Sequence, residues 1–107
     1  IRFDNIDGAA RWLKKAAEKN DQRALNNLGY FYAMGHMGSG LNYQEAFKWY
    51  EKSAKLGSKV GQYNLCRLYY YAKGVSMDHI KAEKWCQRSA DQKYQNAIDL
   101  LERIQSF

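Results

Sequence analysis

Residues Tyr69–Ala90 read YYYAKGVSMDHIKAEKWCQRSA. The stretch ends one helical period, passes a turn marked by Gly74, and opens a second amphipathic period from His79 to Asp91. By register Tyr69, Ala82 and Trp85 face a core, Asp78 caps the second helix, and Lys84 and Arg88 point outward. The same design precedes it over Tyr32–Ala54, and an incomplete copy ends at Ala17.

The copies align over seven columns. Trp12, Trp49 and Trp85 stand 37 and 36 residues apart. The same two offsets relate Ala9, Ala46 and Ala82, then Ala17, Ala54 and Ala90, then Ala24, Gly61 and Ala97, and then Leu28, Leu65 and Leu101. They also relate the basic positions Arg11, Lys48, Lys84 and Lys15, Lys52, Arg88. Self-similarity at this period is the signature of a stacked repeat. The single-residue difference falls in the loop after Tyr32, where Gly35, Gly38 and Gly40 cluster.

Each unit carries two helical patterns. The first is predicted over about 21–33, 59–72 and 94–105, and the second over about 6–19, 43–55 and 79–91. In the first, Ala24, Leu28, Phe31 and Tyr32 fall at i, i+4, i+7 and i+8, one face of a helix. In the second, Ala46, Trp49, Tyr50 and Ser53 form the stripe. Asn5, Asn42 and Asp78 sit four residues before the stripe alanine and read as N-caps. Asn20, Gly57 and Lys93 follow the second helix, where a left-handed residue ends it, Lys93 being the poorer stop. The predicted architecture is all-α, a right-handed α–α superhelix of about six antiparallel helices in one domain. It divides into a half repeat (1–20), two repeats (21–57 and 58–93) and a half repeat or cap (94–107). One helix pair cannot bury its stripe alone, so neighbours must stack.

Composition agrees. The 107 residues suit one domain, and 46% hydrophobic with 15% aromatic content excludes a disordered chain. There is no proline to break a helix and no run of 18 apolar residues, so no membrane span is expected. The chain reads as a piece of something longer. Net charge is +6, which admits anionic partners in general.

Residues Gly61–Lys93, GQYNLCRLYYYAKGVSMDHIKAEKWCQRSADQK, resemble the Sel-one-like repeat (SLR), a branch of the tetratricopeptide-like (TPR-like) helical repeats. Gly61, Leu65, Tyr69, Gly74, Val75, Asp78, Lys81, Ala82, Trp85, Arg88, Ser89 and Ala90 carry the resemblance. The preceding unit matches through Ala24, Leu28-Gly29, Tyr32, Ala46, Trp49-Tyr50, Lys52, Ser53-Ala54 and Gly57. Cys66 departs at the glycine that permits close helix approach, and Cys86 at the second aromatic. In the last unit Glu102 and Gln105 stand at the glycine and tyrosine columns. The resemblance implies a non-catalytic protein-interaction scaffold or adaptor, of the kind found in bacterial exported, periplasmic and host-interaction proteins and in eukaryotic degradation adaptors. A periplasmic or secreted bacterial setting is thus favoured over the cytoplasm. It implies no cofactor and no catalytic residues.

In this superfamily the first helix of each unit lines a concave groove. The candidate peptide-binding residues are accordingly Arg23, Asn27, Tyr30, Tyr63, Asn64, Arg67, Tyr70 and Tyr71, with Asn26, Ala33 and Met34 also off the core stripe. Asn27 and Asn64 are equivalent, and an amide both donates and accepts, so it can pair with an extended backbone. Arg23 and Arg67 can hold a carboxylate. The tyrosines supply flat apolar area at low entropy cost. The bland alternative is a solvated groove whose asparagines bond only within the repeat. Two rival readings of the whole are a scaffold self-associating end to end and a regulatory adaptor within a larger protein, for example a cell-wall or host-interaction protein.

The remaining features read as structural. Trp12, Trp49, Trp85, Tyr32 and Tyr69 are expected in the core. The in-phase cations form a solvated outer face, with Glu51–Lys55 a helical pair. Nucleic-acid binding needs interleaved exposed aromatics, and with the aromatics read as inward no nucleic acid is expected. Cys66 and Cys86 lie on adjacent helices and can bridge if their Cβ atoms lie about 3.5–4.5 Å apart. Two buried thiols are the favoured reading. His36 and His79 lack a second ligand at metal spacing, so no metal is expected, and no nucleophile or phosphate-loop motif supports enzyme chemistry.

Overall fold

The computed structural model describes the backbone of residues 3–35 and 41–106 and the side chains of 11–35 and 41–106. Among the described residues there are six helices and no strand: α1 (Phe3–Glu18), α2 (Gln22–Met34), α3 (Tyr43–Lys55), α4 (Lys59–Tyr70), α5 (His79–Asp91) and α6 (Gln95–Gln105). Each helix packs chiefly on its neighbours in sequence, and the body is elongated, 46 × 24 × 20 Å. Both facts follow from an apolar stripe repeated along a stack.

The helix ends follow local chemistry. Asn42 Oδ1 accepts from the Glu45 amide at 3.0 Å, and Asp78 Oδ1 from the Lys81 amide at 2.9 Å. Asp21 and Ser58 cap α2 and α4 in the same way. Asn5 is a correction, since α1 starts at Phe3 and the residue falls inside the helix. Asn20, Gly57 and Lys93 all take positive φ, at 65°, 98° and 65°. The expected helix over 59–72 stops at Tyr70, because Ala72 adopts φ 55° and the Lys73 amide turns back to the Leu68 carbonyl. Gly38, Gly40 and His36 lie outside the described residues.

The aligned leucine and small-residue columns make the core. Leu28 and Leu65 are fully buried, as are Ala46 and Ala82, and Leu101 is nearly so. One cluster gathers Leu13, Ala17, Leu25, Leu28, Tyr32, Ala46 and Tyr50, and the other Leu65, Tyr69, Ala82, Leu100 and Leu101. Burying each large apolar side chain contributes roughly 1.5–3 kcal/mol. Tyr32 and Tyr69 are buried as expected, but the tryptophans are not. Trp49 and Trp85 are half-buried, with Lys52 Nζ 5.9 Å and the Arg88 guanidinium 4.8 Å from the ring centroids. Trp12 is 70% exposed. The column lies at the edge of the stripe. Trp49 and Trp85 pack at the margins of the two core clusters. The expectation that the aromatics uniformly point inward is therefore corrected at Trp12.

A second correction concerns the cysteines. Cys66 on α4 and Cys86 on α5 are joined in a disulfide, with Cα atoms 5.4 Å apart, and are not free thiols. Both are completely buried, which is the property the thiol reading rested on. Burial does not distinguish the two states, whereas the facing of α4 and α5 does.

Candidate binding groove

The first helices of successive units, α2, α4 and α6, lie side by side with clefts between them, while α3 and α5 form the layer behind. The first cleft encloses about 280 Å³. Tyr30, Ala33 and Met34 of α2 form one wall, and Asn64, Arg67 and Leu68 of α4, with Tyr71 just past its end, form the other. Tyr50 of α3 is the floor, and Tyr43 and Lys73 close one end. The second cleft, about 220 Å³, lies between α4 and α6 and is lined by Tyr63, Arg67, Tyr71, Asn96, Asp99, Leu100 and Arg103.

The two clefts are repeats of one another. Tyr30, Arg67 and Arg103 occupy one column at offsets of 37 and 36, so the arginine that ends the first cleft begins the second. Arg67 Nη1 donates to Asn64 Oδ1 at 3.2 Å, and its guanidinium lies 5.8 Å from the Tyr63 ring centroid. Arg103 Nη1 donates to the Tyr71 hydroxyl at 3.2 Å. Both cations are thus oriented by neutral groups.

Tyr50 is 4% exposed. Burial pushes its phenol well above the ordinary tyrosine value, against the lowering pull of the Arg67 charge, with Tyr30 adding to the rise. The hydroxyl therefore stays protonated and can donate. The ring sits where it does because Gly29 has no side chain: a Cβ there would lie 2.7 Å from Tyr50 Cε1.

Five of the eight sequence candidates meet at the clefts: Tyr30, Tyr63, Asn64, Arg67 and Tyr71. Three do not. Arg23 is exposed at the start of α2, where its backbone amide bonds Asp21. Asn27 is exposed and lines neither cleft, because its register faces the side of α2 away from α4. Tyr70 faces the opposite edge, stacked on His79 at 5.0 Å beside Ile80, Glu83 and Ile104. Asn64 also departs from expectation. Its Nδ2 donates to the Val60 carbonyl at 3.0 Å while Oδ1 holds Arg67, so the amide is engaged within its own helix. Sequence reasoning missed Tyr43, Tyr50, Lys73 and Arg103. Tyr50 belonged to a core stripe, Lys73 and Tyr43 lie at helix borders, and only Arg103 had a signal, its shared column with Arg67.

The second helices carry the outer face. Arg11, Lys15, Lys48, Lys52, Lys84 and Arg88 are all exposed. Lys48 pairs with Glu45 at 3.6 Å and Lys55 with Glu51 at 3.8 Å. Among the described residues no helix is long and apolar enough to cross a membrane, and no three acidic, histidine or cysteine side chains gather as a metal site would need.

Stacked helix pairs with a groove formed by the first helix of each pair define an α-helical repeat protein. The Sel1 repeat model matches residues 3–21, 22–58 and 59–94, and the chain belongs to the Sel1 repeat family. A sel1-like repeat-containing protein (L21) of Acanthamoeba polyphaga mimivirus is 35% identical over 82 residues, 77% of this chain and 14% of its own length. The chain thus spans about a seventh of that curated relative. Among solved structures, a Sel1 repeat protein from Oxalobacter formigenes superposes with a TM-score of 0.80 at 38% identity, covering 91% of this chain and 72% of that one. The protein c5321, a protective antigen of uropathogenic Escherichia coli strains with an SLR fold, gives 0.84 at 35% identity, covering 88% of this chain and 20% of that one. Sel1 repeats generally mediate protein–protein interaction and typically act as non-catalytic scaffolds.

Proposed function

We propose that the chain is a non-catalytic adaptor that holds an extended segment of a partner protein along the groove made by α2, α4 and α6. The observation that carries this reading is the pair of register-equivalent clefts sharing Arg67 and Tyr71. A single cleft accommodates a side chain, whereas two at the repeat spacing suit a strand of polypeptide crossing both. Exposed tyrosine surface at Tyr30 and Tyr71 supplies contact area with few rotors to freeze. The disulfide supports service in an oxidising compartment, periplasmic or extracellular, where such bonds persist.

Site-specific photo-crosslinking tests the groove. A photoreactive residue at Met34 or Tyr71 is expected to trap a partner, and one at the outer-face positions Lys48 or Lys84 is not. Equal trapping from both faces would count against the groove.

A further inference from the structure

We infer that the segment taken by this groove is acidic, with one carboxylate seated in the first cleft against Arg67 and Lys73 and a second reaching Arg103. This rests on the groove reading above and names the chemistry of its occupant.

Three observations converge. First, among the described residues the first cleft is lined by two cations, Arg67 and Lys73, and by no Asp or Glu. Among the described residues neither cation has a carboxylate within ion-pair distance, although the chain forms such pairs on its outer face. Unneutralised cations inside a cleft raise the local concentration of anions more than the same charges on an open surface.

Second, Arg67 is held in place before any ligand arrives. Asn64 Oδ1 accepts from one guanidinium nitrogen at 3.2 Å, and the guanidinium carbon lies over the Tyr63 ring, 5.8 Å from its centroid. The remaining N–H groups are left for a planar acceptor, and a carboxylate matches their fork. Lys73 is oriented over the Tyr43 ring at 5.4 Å. Pre-placed side chains lose less entropy on binding.

Third, the floor supplies a neutral donor. The buried Tyr50 hydroxyl stays protonated through the physiological range. It adds a hydrogen bond for a carboxylate and none of the repulsion an acidic floor would bring. The second cleft repeats the arginine at Arg103, again tied to a tyrosine hydroxyl. Among the described residues its one carboxylate, Asp99, accepts from Gln95 Nε2 at 2.8 Å and keeps its charge, so the second cleft carries Arg67, Arg103 and Asp99, whereas the first is purely cationic. An acidic segment finds a cation in each cleft and meets one carboxylate, Asp99, in the second only, so the cations outnumber it along the groove.

The test is a titration of the isotopically labelled disulfide-bonded protein followed by backbone amide shifts. Two synthetic peptides of equal length are used, one alternating glutamate and tyrosine and the other with every glutamate replaced by glutamine. The glutamate peptide is expected to shift amides around Tyr30, Asn64, Arg67 and Tyr71 and to bind at least about tenfold more tightly than its glutamine counterpart. R67Q and K73Q, both at exposed side chains, should each weaken it about tenfold, with added salt narrowing the difference. If both peptides shift the groove equally, or the glutamine peptide binds more tightly there, the acidic preference is overturned and the groove reading stands. If the glutamate peptide shifts only outer-face amides near Lys48, Lys52 and Lys84, or neither peptide shifts the groove, both fail.

Discussion

Cys66 and Cys86 are bonded at the two positions where the preceding unit sets Gly29 against the ring of Tyr50. One contact, between the first and second helix of a unit, is thus made twice with different chemistry. In the first unit an absent side chain makes room for an aromatic ring. In the second, two short side chains meet and are joined covalently. The substitution at either position alone would leave a clash or a void.

The bond closes a short loop, with its cysteines 20 residues apart. Chain-entropy reasoning gives a loss of about 3 kcal/mol on its removal. C66S/C86S should therefore lower the denaturant midpoint markedly, and reductant should do the same to the unaltered chain. C66G/C86Y, which restores the pairing seen at Gly29 and Tyr50, should recover part of the loss. Equal stability of oxidised and reduced protein would contradict the arrangement.

Gly29→Ala places a methyl group within 2.7 Å of the Tyr50 ring. Overpacking of this kind costs about 1–3 kcal/mol. Urea unfolding measures it, and in G29A/Y50A, where the ring is gone, the added cost of the alanine should shrink. An additive double mutant would show that the two residues do not touch.

Gly74→Ala should be worse than its surface position suggests. The residue takes φ 74°, and a Cβ would lie 2.5 Å from the Tyr43 carbonyl carbon. Left-handed strain alone costs of the order of 1 kcal/mol, and the clash adds to it. Gly57→Ala, at φ 98° with nothing nearby, adds backbone strain without a clash, so it should cost less than Gly74→Ala; midpoints of the two variants check the order.

The tryptophan column should grade by exposure. Trp12→Ala is expected to stay within about 0.5 kcal/mol of the parent, as for other exposed positions. Tyr50→Ala, at a buried ring of similar bulk, should cost about 3–5 kcal/mol. Trp85→Ala, half-buried beneath Arg88, should fall between. Calorimetric midpoints of the three rank them directly, and a costly Trp12→Ala would contradict its exposure.

Stability should decline in strongly alkaline solution. The folded Tyr50 phenol holds its proton above the ordinary tyrosine value of about 10. Above that pH the unfolded chain releases a proton that the folded one keeps, so folding binds more protons and stability falls as pH rises. Below it the two states are equally protonated at this group and no effect is expected. Tyr50→Phe should flatten the alkaline limb in pH-dependent unfolding.

The repeat spacing, the helix pairs and the identity of the buried columns were legible in the residues themselves. Leu28, Leu65 and Leu101 recur at fixed offsets because each unit must bury the same stripe against its neighbours, and that demand is written locally. The groove was half legible. Register placed Tyr30, Asn64, Arg67 and Tyr71 on the first helices and off the core, but it could not say which side of each helix faced a cleft. That depends on having a neighbour of the same kind. Asn27 and Asn64 share a column, yet only Asn64 lines a cleft, and Trp12 is far more exposed than Trp49 although they too share one. The disulfide was missed for a related cause: burial fits a thiol as well as a bridge, so two thiols were expected, and only the facing of α4 on α5 brings the two cysteine Cα atoms to 5.4 Å. What one helix does alone was set by its own residues. What a residue meets across a gap was decided by the stacking, because positions equivalent in sequence need not meet equivalent neighbours.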